Sequence, residues 1–362
     1  MKFISLAALT FALATGTAAL QAQTATRLAA TKANNFAMVY TLPSTGLSIT
    51  LEAEITVKKP GEFYNYAKKY LNISDPITRE TCSATLRSAV VSTYGVANDK
   101  ERYAVTFKNG TSPYMMLSAE NIPLSINTEK AAEADQPELP VAHDADPTPL
   151  ETPAATQVVS EEMLQSQSTA KRAELAAQAL YALRQTRADL ISGQAEQMPP
   201  DGKSLQLMLD NLEAQEKALM AMFVGTTAVR TDVATFRLMP DDDIDNKVIA
   251  RISPVDGIVG ASDLSGAPVY LSLKVTQRGE MPVNEKGQEL PFPRNGVAYC
   301  IPGEAEVTVK YDGQTYADVQ EPMAQFGVVY GLAPNSFTDK KAPIYVVFDP
   351  ATGAILEQGP AE

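Results

Sequence analysis

The chain has 362 residues, of which 45% are apolar and 20% charged, with a formal net charge of −13; this is enough for about two domains with a real core and argues against wholesale disorder. Histidine occurs once, tryptophan never and cysteine twice, which removes most of the side chains from which hydrolase triads, zinc sites and redox centres are built. An acidic surface without a basic stripe also repels nucleic acid and anionic lipid.

Residues 1–22 read as a signal peptide. Met1 and Lys2 give a short positive start, Phe3 to Ala19 is apolar and uncharged, and small residues precede a polar segment from Gln21. Cleavage leaves Leu20 or Gln23 as the mature start. The apolar stretch is shorter than a spanning helix, and no cysteine lies near the cleavage region. The expected product is therefore periplasmic or secreted, with no lipid anchor and no transmembrane segment once the leader is removed.

Residues 23–128 read as a β-rich domain with one short helix. Phe36 to Leu42 and Leu47 to Val57 alternate around Pro43-Ser44-Thr45-Gly46, the pattern of a β-hairpin. Pro60 then opens a short helix that runs to Asn72. Its Tyr64, Tyr66 and Tyr70 are candidate binding residues, because tyrosine stacks on sugar rings and anchors protein interfaces; packing onto a sheet is the plainer role. Further strands are expected over 77–94, 103–107 and 114–117, with a turn at Asn109-Gly110.

Composition changes at Glu129. Between Glu129 and Glu162 nine acidic residues face Lys130 alone, and prolines interleave with Ala, Asp and Glu. Residues 129–168 read as a flexible acidic linker that buries no core. Residues 169–225 read as a helical hairpin. Ala173, Ala176, Ala177, Leu180, Leu183, Arg187, Leu190 and Ile191 fall on one helical face before Gly193. Asp201 caps a second helix striped by Leu205, Met208, Leu209, Leu212, Leu219 and Phe223, which Gly225 ends. Ser168 and Lys171 spell Ser-x-x-Lys at the first helix start, a penicillin-binding-enzyme pattern without its companion motifs, so a helix cap is expected.

Residues 226–362 read as a larger β-rich domain, with Asp312-Gly313 turning one hairpin. Asp241, Asp243 and Asp245 alternate in a loop after Pro240, and hard oxygen ligands at that spacing suit Ca2+. An EF-hand would need Gly at Asn246 and Glu at Ile252, so a solvated loop is the primary expectation and no cofactor is assigned. Cys82 and Cys300 lie in different halves of the chain; a bridge and two free thiols both remain open.

The fold class expected is α+β, two mainly antiparallel β regions with a helical hairpin between them. Several local strings, in order, resemble the domain of unknown function 4831 family, exported proteins of bacteroidete bacteria. They are Tyr40-Thr41-Leu42-Pro43, Pro60-Gly61-Glu62-Phe63 with Tyr66-Ala67 and Lys69-Tyr70-Leu71, Leu183-Arg184 with Arg187 and Leu190, Gly193, Pro200-Asp201-Gly202, Phe223-Val224-Gly225, and Ala324-Gln325-Phe326-Gly327. The resemblance spans about Tyr40 to Tyr330 and implies export and domain order. The family has no assigned activity, so no catalytic residue carries over.

Two functional classes stand against each other. The first is an exported, non-enzymatic scaffold or binding protein of the cell envelope, with an envelope protein or glycan as partner. The alternative is a periplasmic hydrolase of glycan or peptidoglycan working through two carboxylates, which sequence cannot pair.

Overall fold

The computed structural model describes residues 26–29, 38–107, 113–132, 137–199, 201–339 and 341–361; the signal peptide and the Asn109-Gly110 turn lie outside them. In chain order the elements are β1 (Thr26–Ala29), β2 (Met38–Lys59), a 3-10 turn (Tyr64–Tyr66), α1 (Ala67–Leu71), β3 (Thr81–Val105), β4 (Tyr114–Leu117) and β5 (Pro123–Ile126). There follow α2 (Pro153–Gln157), α3 (Glu161–Gln165), α4 (Thr169–Ser192), α5 (Gly202–Val224), β6 (Thr226–Leu238), β7 (Ile244–Ser253), β8 (Gly257–Gly260) and β9 (Ala267–Gln277). The chain ends with β10 (Val297–Tyr311), β11 (Gln314–Leu332), α6 (Asn335–Thr338), β12 (Ile344–Phe348) and β13 (Ile355–Pro360). The fold is α+β and dominated by antiparallel sheet.

Three sheets organise it, in the orders β3-β2-β6, β11-β10-β9-β7-β8 and β1-β4-β5-β12-β13. The first two face each other. Alternate β2 residues Leu47, Ile49, Leu51, Ala53 and Ile55 interdigitate with Leu271 and Leu273 of β9, Val307 and Val309 of β10 and Phe326 of β11, all buried. Period-two alternation puts these side chains on one face, and each fully buried aliphatic residue contributes about 1.5–3 kcal/mol. The same long strands then enter a second core. Tyr40 and Leu42 of β2, Val105 of β3 and Val297 of β10 pack there with Met115, Ile126, Phe337 and Phe348.

The hairpin expected around Pro43–Gly46 is instead one continuous strand. Pro43 through Gly46 keep their register with Ala97 through Tyr94 of β3. Two things make this tolerable. β6 covers β2 only from Leu47 onward, so Pro43 lies beside a register shift where no third strand needs its missing N–H. The Tyr94 ring also lies over Gly46, where any Cβ would collide with it. β10 likewise runs unbroken past Pro302, with a register shift there. Asp312-Gly313 does turn the β10–β11 hairpin, with φ of 47° and 74°.

The two β regions of the sequence are not separate in space. β6 pairs with β2 along thirteen residues from Thr226 to Leu238, and β12 pairs with β5. The acidic segment also differs from a free linker. His143 exchanges two backbone hydrogen bonds with Thr231 of β6, at 3.0 and 2.8 Å, and Ala154, Ala155, Val158 and Met163 are buried in the helical core. Prolines and carboxylates disfavour a core of their own, but the small apolar residues of α2 and α3 fit a groove that α4 and α5 supply.

Cys82 and Cys300 are free thiols. Cys82 pairs with Val57 near one end of β2, whereas Cys300 lies two residues from Ala298, whose carbonyl accepts from Tyr40 near the other end. At about 3.3 Å of rise per residue they sit tens of ångströms apart.

Candidate functional site

The α4–α5 pair is built as a mounted arm. At its base, Phe63 donates its backbone N–H to the Met222 carbonyl at 2.7 Å, and Ile77 donates to the Val224 carbonyl at 2.9 Å. A Cβ on Gly61 would collide with the carbonyls of Ala221 and Met222, and one on Gly225 (φ 89°) with the Lys59 carbonyl. Glycine is required at both because backbone meets backbone. Phe63 packs on Phe223 with ring centroids 5.5 Å apart, and Arg172, lying over the Phe63 ring, pairs with Glu62. The strings that carry the family resemblance, Pro60-Gly61-Glu62-Phe63 and Phe223-Val224-Gly225, are thus the two halves of one joint.

Above the joint, Ala173, Ala176, Ala177 and Leu180 of α4 meet Ala218 and Leu219 of α5, with α2 and α3 filling the side. Ser168 accepts from the Lys171 N–H and caps α4; Asp201 accepts from the Ser204 N–H and caps α5. Halfway along, Arg184 and Arg187 both close on the Glu216 carboxylate at 2.7 and 3.1 Å. This charge clasp bridges the two helices beside Leu183 and Ala214, which pack against the helical core.

Beyond the clasp cover is partial: Leu190 is still buried, whereas several of its apolar neighbours face solvent. Ile191 is 65% exposed, Met198 47%, Leu207 71% and Met208 43%, and Leu205, Leu209 and Leu212 are half-buried. Over the lower half the stripes are buried in a core made by the Phe63 segment and α1 to α5 rather than against a sheet. The sequence carries one unused hint: Leu205, Leu207, Met208 and Leu209 spread apolar surface around more than one helical face, wider than a single seam needs.

Two clefts flank the acidic segment, one against the middle of α5 and one near the base of the arm. One, of about 340 Å³, is lined by Pro147, Pro149, Thr152, Asp210, Glu213, Ala214 and Lys217. The other, of about 300 Å³, lies between Val57, Lys59 and Pro60 on one side and Thr148, Leu150 and Glu151 on the other. Glu213 is held below the usual carboxylate range by the Lys217 ammonium at 2.8 Å, and Glu151 by the Thr148 N–H and hydroxyl. Both are therefore ionised bases at neutrality, the opposite of the raised acid that glycoside hydrolysis uses. Glu321, in β11, is the described carboxylate held above that range, by burial; its cross-strand neighbour is Ala305.

The residues singled out from sequence fall as follows. Tyr66 and Tyr70 pack against the helical core and each other, with ring centroids 6.3 Å apart, and the Tyr70 carbonyl accepts from the Tyr181 hydroxyl at 2.8 Å. Tyr64 is half-buried beside them. Asp243 accepts from the Val275 N–H and Asp245 from the Asn246 amide; among the described residues no three His, Cys, Asp or Glu side chains group to hold a metal ion, so Asp241, Asp243 and Asp245 are not brought together. The Cys300 thiol donates to the Ala324 carbonyl and is pushed up to about 12 by burial. No described helix is long and apolar enough to cross a membrane.

A family model described as Domain of unknown function (DUF4831) matches residues 37–356. No curated protein and no solved structure matches the chain.

Proposed function

We propose, for a chain that belongs to the DUF4831 family, the role of an exported, non-enzymatic binding or scaffold protein of the cell envelope. It works through the helical hairpin α4–α5, which the β body holds out as a rigid arm. The observation that carries this reading is the change in character along one pair of helices. The lower half is sealed into a core, whereas the upper half ends in Ile191, Met198, Leu207 and Met208 facing solvent. Several exposed apolar side chains gathered at the end of one ordered element favour a macromolecular contact there. Glycan recognition is less favoured, because the tip carries no aromatic ring on which a sugar would stack.

A photo-crosslinking residue at Leu207, compared with one at the still more exposed Leu264, tests the proposal in cells of the source organism. A discrete adduct formed from Leu207 and not from Leu264 is the expected result. Equal labelling from both positions, or none from Leu207, overturns it. Recovery of the chain from the envelope fraction tests export separately.

A further inference from the structure

The strand β6 is an edge whose one backbone partner away from β2, among the described residues, is the chain's own acidic strap; its Arg230 side chain donates to the Val255 carbonyl and its Asp232 carboxylate accepts from the Ile258 N–H. β2 takes one side of β6. On the other side the isolated bridge His143–Thr231 is the sole backbone pairing among the described residues. In an antiparallel ladder alternate residues aim both N–H and C=O to the same side. Because Thr231 points outward, so do Val229 and Val233, whose N–H and C=O groups form an open template of the kind that recruits another strand.

We infer that this edge is a self-association surface, occupied by β6 of a second copy when the strap lifts. The sequence of β6 is self-complementary about Thr231. Antiparallel pairing centred there sets Thr231 against Thr231 of the second copy, Val229 against Val233, and Arg230 against Asp232. Each of the last two pairs then occurs twice by the two-fold symmetry, as an isologous interface demands. Opposite charges and β-branched residues placed directly across strands are the favourable combinations. The hydrogen bonds that His143 makes to Thr231 are the central ones such a ladder would use, so strap and second copy exclude each other. The strap is suited to exclusion rather than to extending the sheet. Pro140 and Pro147 bracket His143, which limits its pairing, and Glu138, Asp144 and Asp146 place negative charge at the edge of a chain that is already acidic.

Two full-length variants test this, His143→Pro and replacement of residues 140–146 by glycine and serine, each checked for native circular dichroism. Mass is read by light scattering and amide exchange residue by residue. The wild-type chain is expected to be monomeric. Both variants are expected to dimerise, with slowed exchange at Val229, Thr231 and Val233 in the dimer. Adding Arg230→Glu to the strap replacement sets like charges across the ladder and is expected to weaken the dimer about tenfold. Variants that stay monomeric at hundreds of micromolar, or that dimerise with β6 exchange unchanged, overturn the inference. A wild-type dimer with slow β6 amides overturns the guarding role of the strap.

Discussion

Thr45 and Gln325, 280 positions apart, are bonded twice: the Thr45 N–H donates to the Gln325 side-chain oxygen at 3.0 Å, and the Gln325 amide donates to the Thr45 carbonyl at 3.0 Å. The glutamine thus acts as the next strand for β2 at the stretch β6 does not reach. Its amide also holds the Pro240 carbonyl, while the buried Thr45 hydroxyl joins Ala324 to Ala351. This node ties the two β cores to one another. Gln325→Glu keeps the shape and removes both donors, leaving two carbonyls short of partners. A loss of about 2–4 kcal/mol is expected in urea unfolding, and Gln325→Asn, which cannot span the gap, should lose a similar amount.

Burial along the arm predicts a sharp contrast in mutational cost. Leu219→Ala and Phe223→Ala open cavities in the helical core and should cost about 2–5 kcal/mol each. Leu207→Ser and Met208→Ser, beyond the Arg184–Arg187–Glu216 clasp, should stay within about 0.5 kcal/mol of the wild type. Urea denaturation of the four variants checks this; a large loss at Leu207 would mean that the tip is covered in solution.

The legibility of this fold followed the locality of its causes. Ser168, Asp201, Gly193 and Asp312-Gly313 act within a few residues of themselves, and each lies where the spacing indicates. Pro43 and Gly46 mislead because their neighbours, Tyr94 and Gln325 among them, come from distant strands that accommodate a breaker inside a sheet. The pairing of β2 with β6 has no local signature. The tip of the arm is harder still, since an amphipathic stripe reads the same whether or not anything lies against it. Tyr66 and Tyr70 do pack, as the plainer reading of their helix has it, but against the helical core rather than a sheet.

The joint at the base of the arm is sterically exacting. Gly61→Ala and Gly225→Ala push a methyl group into the carbonyls of Met222 and Lys59, and the second also forces a side chain to φ 89°. Each should lower stability by at least about 1–3 kcal/mol. Gly193→Ala has a comparable φ of 73° but open space around it, so it should cost only about 1 kcal/mol. A ranking in which Gly193 is the most sensitive of the three would contradict the described packing.

Acid titration should separate two carboxylates. Burial raises the folded-state pKa of Glu321, so the native state binds its proton more tightly than the unfolded chain does. Its contribution to stability therefore falls as pH rises from the ordinary carboxylate value through the raised one. Glu321→Gln should melt higher than wild type at pH 7, by about 1–2 °C for a group only partly shielded, and the two should converge near pH 3. Glu151 has the opposite sign, because hydrogen bonds from Thr148 lower its pKa; its support for the strap is present above the ordinary value and is lost as pH falls through the lowered one.

The most direct measurement is the crosslinking comparison between Leu207 and Leu264 in living cells. An arm that works by contact yields one defined adduct from Leu207, lost on Ile191→Glu with the fold intact, and none from Leu264. A bare Leu207, or adducts as diffuse as those from Leu264, would contradict the account of the arm as the working surface of this protein.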